Sequence, residues 1–215
     1  AAALPDLRRP AVLTGDLTGL AGLLQASAEP GLRFELVVGR NALLRAPDRP
    51  AAVATIAARL APGGVVVLAE GLPRHSQRLY ELLDADSLPA DLATRLQQAE
   101  EALYADPADP MVNWGVPELT AWLSVQGLVV RGVEERPAAL QVVVTAAMLD
   151  RWFAEAPPGA RPSYVQHLRR LISAEEAGVV AERFRAVLAG RQVCWRSRSV
   201  IVAAGRPAGG RSEDA

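Results

Sequence analysis

The chain has 215 residues, half of them hydrophobic and 22% charged, which is an ordinary globular composition and excludes a chain that is disordered throughout. One cysteine and two histidines exclude a disulfide framework and a cysteine- or histidine-rich metal site, and 23 basic residues that are all arginine exclude a Walker-A lysine and a Schiff-base lysine. The charge is uneven, since residues 1–150 hold 12 arginines against 18 acidic residues, whereas residues 151–215 hold 11 against 6.

The first part of the chain predicts strands that alternate with helices. Short apolar runs predict strands at 10–14 and 34–38, with a helix at 17–26 between them. Residues 48–60 predict a helix with proline in its first turn. The continuous apolar run at 65–69 follows a Pro-Gly-Gly break and is typical of a central parallel strand. This alternation indicates a doubly wound α/β sheet.

The rest of the chain is expected to be more helical. Residues 76–104 predict two helices broken near 84–87, and a proline-containing loop follows at 105–116. Further on we expect a helix at 117–127, strands at 128–133 and 140–145, helices at 146–155, 162–172 and 174–189, and a final strand at 192–203. A Ser-x-x-Glu capping box opens the helix at 174–189, and the tail 205–215 is expected to be flexible.

Three segments in order, 34–41, 60–70 and 117–130, resemble the second half of a class I S-adenosylmethionine-dependent methyltransferase. The Leu-Ala-Pro-Gly-Gly turn at 60–64 is similar to that family's "LkPGG" turn before its fifth strand. The resemblance implies an α/β, Rossmann-like methyltransferase fold with a mostly parallel sheet and an antiparallel C-terminal hairpin, incomplete at the N-terminus. It also implies a single domain over 1–204 with helical insertions at about 76–104 and 146–189.

A second resemblance covers nearly the whole chain. Segments 39–43, 72–80, 100–107 and 109–114 look like the methyltransferase-like region found C-terminal to RarA/MgsA-type AAA+ replication-recombination ATPases in some bacteria. This implies a bacterial, cytoplasmic protein whose partner is a fused or associated AAA+ ATPase, with this domain non-catalytic or incomplete. The alternative is an S-adenosylmethionine-dependent methyltransferase of unknown substrate whose cofactor loop lies upstream.

The methyltransferase resemblance places cofactor contacts at the carboxyl ends of the first two predicted strands. Asp16 matches a position that often contacts the adenine amino group, and its alternative role is to form an Asx-turn or to cap the following helix. Gly39, Arg40 and Asn41 follow a parallel strand, which is where ligands bind in open α/β sheets. Gly39 would allow a sharp turn, and Arg40 would hold a carboxylate or phosphate. In the alternative, Arg40 and Asn41 only hold the local loop in place.

Candidate substrate or partner contacts follow the next strand. Arg74 and Arg78 are placed one turn apart on a helix, where they suit anion binding or a solvated helix start, and Arg78 has Glu81 within reach as an alternative partner. His75 is the one weak candidate for a catalytic base. Tyr104 and Trp114 flank the proline-containing loop and either close over a substrate or anchor that loop.

The basic C-terminal third offers a second surface. Its five arginines are candidates for contact with DNA or a partner, and they are Arg183, Arg185, Arg191, Arg196 and Arg198. Positions 196 and 198 of one strand point to the same face. His167 is expected on a solvated basic helix face beside Arg161, Arg169 and Arg170. No apolar run is long enough to predict a membrane span.

Overall fold

The computed structural model describes residues 12–26, 31–44 and 46–208. The helices and strands in this part of the chain are α1 (Leu20–Ala26), β1 (Phe34–Arg40), α2 (Arg49–Arg59), β2 (Leu60–Gly71), α3 (Ala90–Ala105), α4 (Val116–Val125), β3 (Val129–Val143), α5 (Ala146–Phe153), α6 (Tyr164–Leu168), α7 (Ala174–Leu188) and β4 (Gln192–Gly205). The predicted α/β fold class is therefore confirmed. None of these helices is long and apolar enough to cross a membrane.

Two compact units share the chain. Unit 1 takes the described residues up to Glu70, Pro117–Glu134 and those from Ile201 onward. Unit 2 takes Gly71–Val116 and Glu135–Val200. Strands β3 and β4 each contribute residues to both units. The predicted tail falls partly in β4, which runs to Gly205, and residues 209–215 lie outside the described residues.

Unit 1 is built around a parallel pair of strands joined by α2. The Asp48 side chain caps α2 by accepting a hydrogen bond from the Ala51 N–H at 2.9 Å, and Pro50 occupies the first turn as predicted. One face of α2 is buried, including Val53 and Ile56. β1 and β2 run parallel from the Phe34–Leu60 pair to the Arg40–Ala69 pair.

The sequence predicts that the Pro-Gly-Gly segment precedes the strand. In the structure this segment lies inside β2. Phe34 pairs with Leu60 and the next pair is Leu36 with Val65, so the ladder is irregular at residues 61–64. Gly63 has φ +76°, a conformation that favours glycine. A Cβ on Gly64 would lie 2.9 Å from the Phe34 and Ala61 carbonyl oxygens. The two glycines thus allow the chain to bulge while the strand continues.

The four strands form one mixed sheet in the order β1-β2-β4-β3. Leu72 N–H bonds to the Arg198 carbonyl and Arg206 N–H to the Gly64 carbonyl, so residue numbers rise along β2 as they fall along β4, and these two strands are antiparallel. Val144 N–H bonds to the Arg191 carbonyl, so β3 ends where β4 begins and this pair is antiparallel too. The expected antiparallel C-terminal strands are present.

Two strand predictions are wrong. Residues 12–14 form no strand, and Val12 is 83% exposed, because no segment in the described part of the chain pairs with them; residues 10 and 11 lie outside the described residues. Within the described part of the chain, the sheet therefore contains one parallel pair, β1 with β2, rather than several. The two strands predicted at 128–133 and 140–145 are one strand, β3, since an exposed edge strand tolerates the polar residues and the proline between them.

Unit 2 packs its helices around Phe184, Leu149 and Leu168, all fully buried. The predicted capping box of α7 is confirmed, since Ser173 and Glu176 exchange hydrogen bonds with each other's backbone N–H. The first of the two helices predicted at 76–104 is wrong. Short 3₁₀ turns replace it, because the Leu79 and Tyr80 N–H groups donate to the buried Glu100 carboxylate instead of to helical carbonyls.

Candidate functional site

A groove with a volume of 640 Å³ lies in unit 2, and we call it the arginine groove. It is formed by the segment that follows β2, by Glu101 of α3, and by the middle of β3 and of β4, at residues 137–139 and 196–198. Its charged and histidine lining residues are Arg74, His75, Arg78, Glu81, Glu101, Arg196 and Arg198. Five residues that the sequence placed in separate candidate groups thus share one surface, namely Arg74, His75, Arg78, Arg196 and Arg198.

Backbone bonds to β4 shape the floor of the groove. The Leu72 N–H donates to the Arg198 carbonyl at 2.8 Å, and the Gln77 N–H donates to the Arg196 carbonyl at 2.9 Å. A single 3₁₀ turn, Pro73–His75, fits between these two bonds. The buried Gln77 side chain accepts hydrogen bonds from both the Arg196 N–H and its Nε, and so holds this arginine at the groove wall.

Arg78 is held in place by the protein itself. Its Nε and Nη2 donate to the two Glu101 oxygens at 3.0 and 3.2 Å, and its Nη1 donates to the Arg74 and Ser76 carbonyls. The guanidinium lies 3.7 Å from the centre of the Tyr104 ring. The alternative partner Glu81 is instead engaged by Gln77 and Arg196. Arg78 therefore organises the groove wall more than it offers free donors.

Arg74 keeps its terminal nitrogens available. Its Nε donates to the Val112 carbonyl at 2.9 Å, and no carboxylate among the described residues pairs with it. It lies in the 3₁₀ turn rather than on the predicted helix, because that helix is absent. Arg196 and Arg198 also face the groove, paired with Glu81 at 2.6 Å and Glu135 at 3.1 Å. Arg74 is thus the arginine best placed to receive an anion.

His75 is exposed beside this cluster, and no hydrogen bond of its ring is found among the described residues. Partial burial lowers the pKa of His75, and the positive charge of Arg198 lowers it further, while Glu135 opposes the change. The ring is therefore neutral at pH 7 and gains charge only in acid. Its candidate role as a base stays a prediction.

Tyr104 and Trp114 occupy different environments. Trp114 is fully buried, which favours the anchoring role over direct contact with a ligand. Tyr104 is half-buried under Arg78, and burial together with the nearby Glu100 raises the pKa of Tyr104 to about 12. Tyr104 therefore stays protonated, and its ring supports the arginine.

The four residues predicted to contact a cofactor lie in unit 1. Of these four, Asp16 lines a cavity of 310 Å³ with Ala42, Ala46 and Pro47 of the loop after β1, whereas Gly39, Arg40 and Asn41 do not line it. Asp16 Oδ1 also accepts hydrogen bonds from Thr18 Oγ1 and the Gly19 N–H, so this side chain stabilises the turn that precedes α1. These hydrogen bonds lower the pKa of the Asp16 carboxyl. The Asp16 carboxylate is exposed, and the Thr18 N–H also interacts with it.

Gly39 has a different role from the predicted turn. β1 continues through Gly39 to Arg40, and a Cβ on Gly39 would lie 2.8 Å from Leu68 Cδ2 and 3.1 Å from the Ala42 Cβ. Close packing therefore requires glycine here. The turn begins at Asn41, which has φ 51°, a conformation that asparagine tolerates. The Arg40 side chain is exposed.

These residues fit S-adenosylmethionine only in part. The cavity beside Asp16 combines a carboxylate with apolar walls, which suits the amino group and ring of adenine. No glycine-rich loop following a strand lies beside it in the described part of the chain, so the methionine end of the cofactor has no counterpart there.

Sequence reasoning missed several buried polar residues, three of which support the candidate sites, namely Glu70, Gln77 and Glu100. Glu70 and Glu100 are fully buried and Gln77 nearly so. Each binds backbone N–H or arginine donors from segments distant in sequence. Their only signal in the sequence is a polar residue next to apolar neighbours, which does not distinguish a buried anchor from an exposed side chain.

No protein-family model matches the chain, and no curated protein matches it. Solved structures similar to it include a candidate methyltransferase from Bacillus halodurans, with TM-score 0.41 and 14% identity over 81% of this chain and 65% of that one. The YcgJ protein from Bacillus subtilis gives TM-score 0.38 and 13% identity over 88% and 77% of the two chains.

A third similar structure is phosphoethanolamine N-methyltransferase 2 from Haemonchus contortus, solved with S-adenosyl-L-methionine, with TM-score 0.32 and 12% identity over 81% of this chain. The present chain spans 33% of that enzyme and 65% of the Bacillus halodurans protein. The TM-scores are low, so these similarities assign neither a family nor an activity.

Proposed function

We propose that this chain is a methyltransferase-like α/β module that binds a phosphate-bearing ligand in the arginine groove. The observation that carries the proposal is the free guanidinium end of Arg74, which lies in a groove shared with His75, Arg196 and Arg198. Planar guanidinium groups suit phosphate oxygens because they donate two parallel hydrogen bonds. The groove follows the carboxyl end of β2, and ligands of open α/β sheets bind at this end of the strands.

Replacing Arg74 by alanine should weaken the binding of pyrophosphate by about tenfold, the effect of losing one charged hydrogen bond. Arg74 donates one hydrogen bond within the protein, so the fold should tolerate the change. Isothermal titration calorimetry at low salt measures both affinities. Arg183→Ala is the matched control because Arg183 is an exposed arginine of α7 outside the groove. Equal losses in the two variants would mean that only net charge matters.

Binding of sulfate should tighten as the pH falls from about 7 to about 5.5, because the groove gains a positive charge when His75 protonates. The pKa of His75 is lowered in the protein, so the increase begins below the ordinary histidine value of about 6.5. Sulfate keeps its own charge over this range. His75→Gln should remove the pH dependence attributable to this ring. An unchanged pH profile in His75→Gln would show that His75 does not sense the anion.

Nucleic acid is the phosphate-bearing partner that we propose, since the resemblance to the AAA+-associated region implies a role in replication or recombination. A single-stranded oligonucleotide should bind with an affinity that falls steeply with salt, and Arg196→Ala and Arg198→Ala should each reduce the salt slope.

The same resemblance makes an AAA+ ATPase the proposed protein partner. A change in the hydrolysis rate of a RarA-type ATPase on adding the chain would support that pairing, and an unchanged rate would count against it.

The second candidate function is S-adenosylmethionine-dependent methyl transfer, favoured by the cavity that Asp16 shares with the loop after β1. Calorimetry with S-adenosylhomocysteine tests it, with Asp16→Asn as the variant expected to weaken binding. No heat at millimolar ligand would reject cofactor binding by this chain. The result is independent of the arginine groove, because the two cavities lie in different units.

A further inference from the structure

His167 is buried in the structure, whereas the sequence predicts it on a solvated basic helix face. The short helix α6 turns Val165, His167 and Leu168 inward, and His167 is 4% exposed. Neither ring nitrogen of His167 has a hydrogen-bond partner among the described residues. Buried polar groups are almost always paired, so an unpaired imidazole in this position requires an explanation.

The His167 ring borders a pocket of 270 Å³ within unit 2. The loop between α3 and α4 forms one wall, with Asp106 and Asp109, and the segment around α6 forms the other, with Arg161 and Arg170. Ala108, Pro110 and Pro162 add apolar surface. This pocket shares no lining residue with the arginine groove.

The two arginines of this pocket differ in how strongly they are paired with carboxylates of the protein. Arg161 is bound to the buried Asp109 carboxylate through Nε at 2.9 Å and Nη2 at 2.6 Å. Arg170 lies 3.6 Å from Asp106, beyond a good hydrogen bond, and its side chain is 57% exposed. Arg170 therefore keeps donors for another partner.

We propose that this pocket is a binding site for a small oxyanion, the carboxylate or phosphate group of a small molecule. One nitrogen of His167 donates a hydrogen bond to the anion, and the Arg170 guanidinium supplies the opposing charge. The other ring nitrogen accepts from a hydroxyl group of the ligand or from water. The ion pair between Arg161 and Asp109 forms the fixed wall of the site.

The electrostatic surroundings of the ring agree with this assignment. Burial lowers the pKa of His167, and the positive charges of Arg170 and Arg161 lower it further. Asp109 and Asp106 act in the opposite direction and do not outweigh these effects. The imidazole is therefore neutral at pH 7, with one donor and one acceptor. The positive potential that disfavours a second proton on the ring favours an anion next to it.

Nuclear magnetic resonance of the ring nitrogens tests the site in the full chain, with inorganic phosphate and acetate titrated separately at constant ionic strength. We expect the His167 nitrogen shifts to move and saturate in the millimolar range with at least one of these anions. Saturation with acetate alone assigns a carboxylate ligand, and saturation with phosphate assigns a phosphate ligand. The absence of any His167 shift with either anion would overturn the proposal.

Two arginine variants separate this site from general charge. Arg170→Ala should weaken the response by about tenfold, because a charged hydrogen bond is lost. Arg169→Ala is the matched control, since Arg169 is the preceding residue and pairs with Glu155 outside the pocket. Arg74→Ala should leave the His167 response unchanged, which distinguishes this site from the arginine groove. Equal effects of Arg169→Ala and Arg170→Ala would overturn the assignment.

Discussion

Replacing Glu100 by leucine should lower the free energy of unfolding by about 3–5 kcal/mol, because one buried and two partly buried donors lose their acceptor together. The Glu100 carboxylate is fully buried and accepts hydrogen bonds from the Leu79 N–H, the Tyr80 N–H at 3.1 Å and the Tyr164 hydroxyl at 2.8 Å. Leucine fills similar space but accepts none of them. The segment after β2 would then keep only its other attachments to α3, such as those of Arg78 and Tyr80 to Glu101.

Urea unfolding followed by tryptophan fluorescence measures this effect, since Trp152 and Trp195 pack together in unit 2. Tyr164→Phe removes one of the three bonds and should cost about 1 kcal/mol. Glu182→Leu is the control, because Glu182 is exposed on α7. A loss in Glu100→Leu no larger than that in Tyr164→Phe would show that the two backbone N–H groups find other acceptors.

The parts of the fold that sequence patterns predicted are those set by local chemistry. Asp48 and Pro50 start α2, and Ser173 with Glu176 starts α7, because a cap needs only the residues of the first turn. The continuous apolar run at 65–69 predicted a strand in the interior of the sheet, and β2 lies between β1 and β4. The order of these elements was enough to predict the parallel pair, whereas the antiparallel strands after it were implied by the methyltransferase resemblance.

The predictions failed where distant residues decide the local conformation. Residues 76–83 carry a helical pattern, yet Glu100, about 20 positions away, takes the N–H groups of Leu79 and Tyr80. Residues 12–14 are apolar enough for a strand, but a strand also needs a neighbour to bond with. Neither the acceptor nor the missing neighbour is visible in a local window of sequence.

In the candidate site, too, the sequence predicted the features that depend on local residues and missed those that depend on distant ones. The sequence placed Arg74 and His75 just past a buried strand, and the structure places them in a groove there. It also predicted that positions 196 and 198 share a face, since strand periodicity is local. It did not predict which acid pairs with which arginine. Glu101 binds Arg78 from 23 positions away, while the nearer Glu81 binds Arg196.

Two buried carboxylates hold in place the segments that form the two candidate sites. Glu100 positions the segment that carries Arg78 and lies close to Arg74, so the shape of the arginine groove depends on it. In unit 1, Glu70 at the end of β2 holds the loop that lines the cavity beside Asp16. Burial raises the pKa of both carboxyl groups, which shows the desolvation that their hydrogen bonds must offset.

Replacing Glu70 by leucine should release the loop after β1 and lower the free energy of unfolding by about 2–4 kcal/mol. The Glu70 carboxylate is fully buried and accepts the Ala42 N–H at 2.8 Å and the Leu43 N–H at 3.2 Å. Leucine would leave both amides without this acceptor, in a loop that also begins with the left-handed Asn41. The loop would then open more often than the strands beside it.

Hydrogen exchange resolved by residue separates this local effect from a general loss of stability. In Glu70→Leu the amides of Ala42 and Leu43 should exchange at least about tenfold faster, while Val66 and Leu68 within β2 change only as much as global stability does. Glu35→Leu is the control, because Glu35 is exposed on β1. Ligands that bind beside Asp16 should lose affinity in Glu70→Leu, since they must then order the loop themselves. Unchanged exchange at Ala42 and Leu43 would mean that backbone contacts such as the bond from Asn41 N–H to the Ala69 carbonyl hold the loop without the carboxylate.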